Sequence, residues 1–159
     1  MELQTPRLTV ILQTREEVEG MIEAMSEYER AQISEDWLAR MRTLEEPDPW
    51  TYAFRVVVRE TGTSVGTCSF KGPPVGGVVE IAYGIDPDYE GNGYATEAAR
   101  ALVDFASSFD EVRCIRAHTL PNAIASKRVL TKCGFECTGD IMDPEDGLVA
   151  RFERLPDGP

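Results

Sequence analysis

Residues Asp86-Pro87-Asp88-Tyr89-Glu90-Gly91-Asn92-Gly93-Tyr94-Ala95-Thr96-Glu97-Ala98 place two glycines between an apolar, strand-like run and an alanine-rich, helix-like run. The first N–H groups of a helix have no partner inside it, and the aligned peptide dipoles add partial positive charge there. Both attract a phosphate. Gly91 and Gly93 tolerate positive φ and leave room for close backbone approach. The chemistry on offer is the holding of a pyrophosphate without a lysine. A tight strand-to-helix turn that binds nothing accounts for the glycines alone equally well. The third glycine and the later ribose-binding acid of a dinucleotide fingerprint are missing, and no Gly-Lys-Ser/Thr follows as in a P-loop.

Other chemistry-bearing residues are sparse. The four cysteines, Cys68, Cys114, Cys133 and Cys137, form no C-x-x-C pair, and His118 is the one histidine. That argues against structural zinc or any other metal site and for reduced thiols. His118 reads as a structural or solvated histidine, with a substrate role as the alternative. The formal net charge is -12. A field of that sign repels nucleic acid and anionic membrane surfaces and mildly favours a cationic amine. An anionic cofactor must therefore be held by local donors.

The elements that position these residues follow from the pattern. The chain has 159 residues, 42% of them apolar, which suits a single domain over 1–159 with one core. No apolar run approaches the ~20 residues of a membrane helix, and the start lacks signal-peptide features. The chain reads as soluble and cytoplasmic, and a homodimer is compatible with it. Pro6 to Leu12 predicts a strand. Thr14 with Glu17, and then Ser34, are the capping signals of two helices whose apolar stripes are Val18, Met21, Ile22, Met25 and Trp37, Leu38, Met41. Tyr52–Arg59, Ser64–Phe70 and Val78–Ile85 predict three strands in an antiparallel meander. A helix then opens near Gly93. Val112–Thr119 predicts a strand, Ala125–Cys133 a helix ended by Gly134, and Phe135–Thr138 and Leu148–Arg154 short closing strands. This order is α/β with a mixed sheet.

The segment Glu90-Gly91-Asn92-Gly93-Tyr94-Ala95 resembles the Gln/Arg-x-x-Gly-x-Gly/Ala cofactor motif of GNAT-superfamily N-acetyltransferases. Thr5-Pro6-Arg7-Leu8, Ile81-Ala82-Tyr83-Gly84-Ile85, Gly93 to Ala98, Ser126-Lys127-Arg128-Val129-Leu130 and Lys132-Cys133-Gly134-Phe135 extend the resemblance over nearly the whole chain. The style is closest to the Rim-type ribosomal-protein acetyltransferase branch. The resemblance implies a GNAT fold: a mixed, mostly antiparallel sheet, split in a V and flanked by helices. It implies acetyl-CoA as cosubstrate and a small-molecule amine or protein N-terminal amine as acceptor. Backbone groups of Tyr83, Gly84 and Ile85 would contact pantetheine, and N–H groups across Gly91, Asn92, Gly93, Tyr94, Ala95 and Thr96 would hold the pyrophosphate. Lys127 and Arg128 are candidates for the outer phosphate.

Four positions depart from the family pattern. Glu90 replaces Gln or Arg, and Asn92 stands where a cation is common. Ala123 replaces an asparagine, which leaves the adjacent Asn122 as the candidate for that contact. Leu130 replaces the tyrosine that serves other branches as general acid. Glu80, on the strand beside the implied thioester, is the candidate general base. Its neighbours Val79 and Ile81 suggest an apolar setting that would favour proton uptake. A solvated position on an open sheet face is the alternative. Ser126 matches the serine proposed as acid in the Rim-type branch; helix capping is its alternative. Trp37, Trp50 and Tyr52 are candidates to line the acceptor pocket or to join the core. The rival to an enzyme that transfers acetyl by direct, sequential attack is an acyl-CoA-binding protein of the same fold with little or no activity.

Overall fold

The computed structural model describes residues 1–158. The elements in chain order are β1 (Glu2–Gln4), β2 (Leu8–Leu12), α1 (Arg15–Ala24), α2 (Glu27–Ala31), α3 (Glu35–Thr43), β3 (Phe54–Val58), β4 (Thr63–Phe70), β5 (Val78–Ile85), α4 (Tyr94–Ser107), β6 (Cys114–Thr119), α5 (Ile124–Lys132), β7 (Glu136–Asp143) and β8 (Gly147–Arg154), with one 3-10 turn at Pro87–Tyr89. They form one eight-stranded sheet in the order β1-β2-β3-β4-β5-β6-β8-β7. Every neighbouring pair is antiparallel except β5 and β6. No helix among the described residues is long and apolar enough to cross a membrane.

Local chemistry explains most of these elements. In β2, Leu8, Val10 and Leu12 are buried and alternate with half-exposed residues, as a strand with one core face requires. The side chains of Thr14, Ser26 and Ser34 accept the N–H groups of Glu17, Glu29 and Trp37 and start α1, α2 and α3. Three helices thus follow β2, where the sequence pattern indicates two. The extra one, α2, has five residues and buries none of them, so it shows no apolar stripe. Along α4, Ala98, Ala99, Ala101, Leu102, Val103 and Ala106 are buried, and the small side chains let the helix lie close to the sheet. Trp50, Phe70, Phe105 and Phe109 close one end of the core, with ring centroids 4.8 to 5.8 Å apart.

The closing strands are longer than the sequence suggests. β7 runs to Asp143 and pairs with β8 as a hairpin. As an outer strand, β7 is exposed along most of its length. With no buried face it has no alternation to read. The three-residue edge strand β1 went unread for the same reason.

The feature that builds the site is a split in the sheet. β5 and β6 pair only from Val78–Ile81 to Cys114–Ala117. Beyond that, Ala82 to Ile85 stay on β4, while His118 and Thr119 stay on β8. The two halves diverge as a V, open toward the glycine loop. Gly66 of β4 lies opposite Ile85. A Cβ on Gly66 would meet the Gly84 carbonyl oxygen at 2.1 Å, so only glycine permits this contact.

Candidate active site

Two concavities meet at β5. The first holds about 500 Å3 and lies at the open end of the split. Its walls are Tyr83, Gly84 and Ile85 of β5, Glu90, Gly91 and Gly93 of the loop, Tyr94 to Thr96 of α4, and Ala125, Ser126, Arg128, Val129 and Lys132 of α5. Gly91 and Gly93 have φ of 83° and 82°, in the left-handed region that side chains disfavour. The first helical bond of α4 runs from the Glu97 N–H to the Gly93 carbonyl. The N–H groups of Tyr94, Ala95 and Thr96 therefore have no partner within the helix. Free amides, a helix N-terminus and two nearby cations, Arg128 and Lys132, form a donor set that fits a pyrophosphate.

Ten of the residues singled out in the sequence line this cleft: Tyr83, Gly84, Ile85, Gly91, Gly93, Tyr94, Ala95, Thr96, Ser126 and Arg128. Three cofactor candidates lie outside its walls. The Asn92 side chain turns back to donate to the Tyr89 carbonyl at 2.9 Å. Asn122 is exposed in the turn before α5. Lys127 lies on the same helix but beyond the cleft. Lys132, overlooked in the sequence, does line it. The signal was the stripe Ala125, Arg128, Val129, Lys132, which has helical spacing.

Arg7 is a second overlooked residue. Its guanidinium lies 4.8 Å from the centre of the Tyr94 ring and 2.9 Å from the Glu97 carboxylate. Its backbone N–H donates to the same carboxylate, as does the Thr5 hydroxyl. Burial alone would raise the Glu97 carboxyl, but these donors outweigh it and hold the group below its ordinary value. The Thr5-to-Leu8 word and the helix word Gly93 to Ala98 are thus tied by one carboxylate. A larger cavity of about 780 Å3 runs between this tie and α4, but it does not touch β5 and so lacks the chemistry of the split.

Ser126 shares the cleft with Tyr83, whose hydroxyl donates to the Ser126 carbonyl at 3.3 Å. Burial pushes the Tyr83 phenol well up, the neighbouring Cys133 adds to this, and the bond to Ser126 opposes it. Tyr83 therefore keeps its proton and remains a donor. Leu130 is fully buried, so the position of the missing tyrosine belongs to the core. Burial pushes the Cys68 thiol up to about 12 and raises Cys133 and Cys114 as well. These thiols are poor nucleophiles.

The second concavity holds about 650 Å3 and is reached from Glu80, on the opposite face of β5 from Tyr83. Ser34, Trp37, Thr51, Ala53, Ser69, Phe70, Lys71, Asp143, Pro144 and Glu145 complete it. Glu80 Oε2 lies 3.1 Å from His118 Nδ1 and 3.3 Å from Lys71 Nζ. Arg151 Nε donates to His118 Nε2 at 3.1 Å. An arginine can only donate, so Nε2 accepts and the ring proton sits on Nδ1, directed at Glu80. The apolar setting expected for Glu80 is absent. Val79 and Ile81 alternate onto the other face and are buried there, which leaves Glu80 among a lysine and a histidine. Of the three aromatic candidates, Trp37 lines the pocket and donates to the Thr51 carbonyl at 2.7 Å. Trp50 sits in the aromatic cluster, and Tyr52 is fully buried, donating to the Met41 carbonyl.

Residues 4–136 match the sequence profile of the acetyltransferase (GNAT) domain. The chain belongs to the GNAT acetyltransferase family. A relative in Bacillus licheniformis, the uncharacterised N-acetyltransferase p20, is 30% identical over 93 residues, which are 58% of this chain and 52% of that protein. The chain spans about half the length of the curated relatives it matches. Among solved structures, RimL, a ribosomal L7/L12 alpha-N-protein acetyltransferase in complex with coenzyme A, superimposes with a TM-score of 0.74 at 15% identity over 99% of both chains. A GNAT-family acetyltransferase from Bacillus anthracis gives 0.72 at 20% identity over 99% of this chain and 100% of the other. These likenesses establish the GNAT fold, a mixed α/β sheet with helices on its faces.

Proposed function

We propose that the protein transfers an acetyl group from acetyl-CoA to a cationic amine, by direct attack and within a single domain. The observation that carries this reading is the pair of concavities on opposite faces of β5, one walled by Tyr83, Gly84 and Ile85 and the other reached from Glu80. Acetyl-CoA supplies an acyl group activated as a thioester. The free amides of Tyr94 to Thr96 and the loop at Gly91 and Gly93 hold its pyrophosphate, with Arg128 and Lys132 at hand for further phosphate charge. The open edge of Ala82 to Ile85 offers unpaired backbone groups to the pantetheine amides.

The acceptor enters from the Glu80 side. Glu80, Asp143 and Glu145 make that pocket anionic, which suits a protonated amine from a small molecule or a protein N-terminus. Glu80 takes the amine proton, with its carboxylate oriented by the Nδ1–H of His118. The protonated hydroxyl of Tyr83 and the Ser126 hydroxyl lie on the cofactor side, where a departing thiolate needs a proton. No covalent enzyme intermediate is required, so the kinetics are sequential. The test is a panel of amines with release of free CoA thiol as the readout. Release with at least one cationic amine supports the reading. Binding of acetyl-CoA with no release from any amine would show an acyl-CoA-binding protein instead.

A further inference from the structure

We propose that Lys71 is an acceptor in its own right, an acetylation site that the protein modifies within the same chain. The inference rests on the acetyltransferase reading above. Lys71 directly follows β4, and its backbone N–H donates to the Glu80 carbonyl at 2.9 Å. That bond fixes the start of its side chain beside the candidate base. The ammonium reaches 3.3 Å from Glu80 Oε2 and 3.9 Å from Asp146 Oδ2. Asp146 lies in the β7–β8 turn, which Asp143 stiffens by accepting the N–H groups of Glu145 and Asp146 at 3.0 and 2.9 Å. A primary amine thus already lies in the acceptor pocket, in contact with the carboxylate proposed to deprotonate acceptors. Its side chain is 47% exposed, so it is not locked in one pose.

The step balances without a further reagent. The Lys71 ammonium gives one proton to Glu80. The freed lone pair attacks the thioester carbonyl of acetyl-CoA, the C–N bond forms and the C–S bond breaks. The thiolate leaves and takes the second nitrogen proton, giving an amide on Lys71 and free CoA. The proton on Glu80 is lost to solvent. The amide carries no charge, so Glu80 and Asp146 lose a cationic partner and the pocket becomes more attractive to an external amine.

The sequence contains three lysines, and the other two, Lys127 and Lys132, lie on α5 and serve as internal controls. The purified protein is incubated with acetyl-CoA and no added acceptor, then weighed intact and mapped by peptide mass. The expected result is a gain of one acetyl group on Lys71, at a rate per chain that does not depend on protein concentration. Lys71→Arg should abolish that gain while still binding acetyl-CoA. Glu80→Gln should slow it ~100-fold, in the range of general-base effects, and leave any acetylation of Lys127 or Lys132 unchanged. The inference is overturned if Lys71 stays unmodified while thiol is released to an added amine. It is overturned equally by equal rates in wild type and Glu80→Gln, which would mean uncatalysed acetylation, or by a rate that scales with protein concentration. Loss of both acetyl-CoA binding and thiol release to every amine would instead bring down the acetyltransferase reading, and this inference with it.

Discussion

The cleft at Tyr83, Gly84 and Ile85, proposed for the cofactor, is walled by residues drawn mostly from one stretch of chain, Tyr83 to Thr96, and one helix face. The acceptor pocket at Glu80 is walled by charged and aromatic side chains from separated stretches: Ser34 to Trp37, Thr51 to Ala53, Ser69 to Lys71 and the turn after β7. On the proposed reading, the first would hold its ligand through amides that any residue type provides, given the right φ. The second would select through side chains that can change without disturbing the sheet. A shared strand separates the two, so each should fail alone.

The largest expected effect is on the acceptor side. Glu80→Gln removes the proposed base but keeps the shape, and kcat/KM should fall ~100-fold or more. A rate unchanged by the substitution would mean that the amine loses its proton elsewhere.

Gly93→Val attacks the cofactor side. A residue with a side chain in the left-handed region costs ~1–2 kcal/mol, which should weaken acetyl-CoA binding about tenfold. The new Cβ would also lie 3.1 Å from the Arg7 guanidinium. KM for acetyl-CoA should rise while kcat at saturation holds. A fall in kcat alone would show that the two sides are not separable.

Glu97→Gln loosens the tie beneath the loop. The Glu97 carboxyl is held below its ordinary value in the folded protein, so its contribution is full above the unfolded carboxylate range and is lost as pH falls through the folded value. The variant should lose ~1–2 kcal/mol of stability at pH 7. Its melting temperature should converge with that of wild type as pH falls through the folded value, below the ordinary carboxylate range. A gap that is constant with pH would mean that packing, and not charge, sets the cost.

The smallest effect should come from the thiols. With Cys68 pushed up to about 12 and Cys133 and Cys114 also raised, Cys133→Ala and Cys114→Ala should leave kcat/KM unchanged and the initial-rate patterns sequential. Parallel, ping-pong lines would contradict direct attack.

What the sequence revealed follows the same division. Gly91, Gly93 and the strand before them were legible because backbone conformation constrains residue type locally. The closing helix was legible because Gly134 marks its C-terminal end. The V itself followed from the resemblance and not from any pattern in β6, where Ile115, Ala117 and Thr119 alternate straight through the point of divergence. Glu80 was singled out, but its partners Lys71, His118 and Arg151 come from three other strands or strand ends. Only the register of β4, β6 and β8 against each other brings them together. The turn at Asp143 to Asp146 was hidden because β7 has no buried face from which its length could be read.

On the proposed reading, acetyl-CoA occupies the cleft at the split while Glu80 serves the other face. Thermal unfolding with and without acetyl-CoA tests it most directly, in wild type, Glu80→Gln and Gly93→Val side by side. A ligand at a hundredfold excess over Kd stabilises the native state by ~2.7 kcal/mol. Wild type and Glu80→Gln should therefore show the same rise in melting temperature, and Gly93→Val a clearly smaller one. No rise in wild type, or a rise lost in Glu80→Gln and kept in Gly93→Val, would contradict the account.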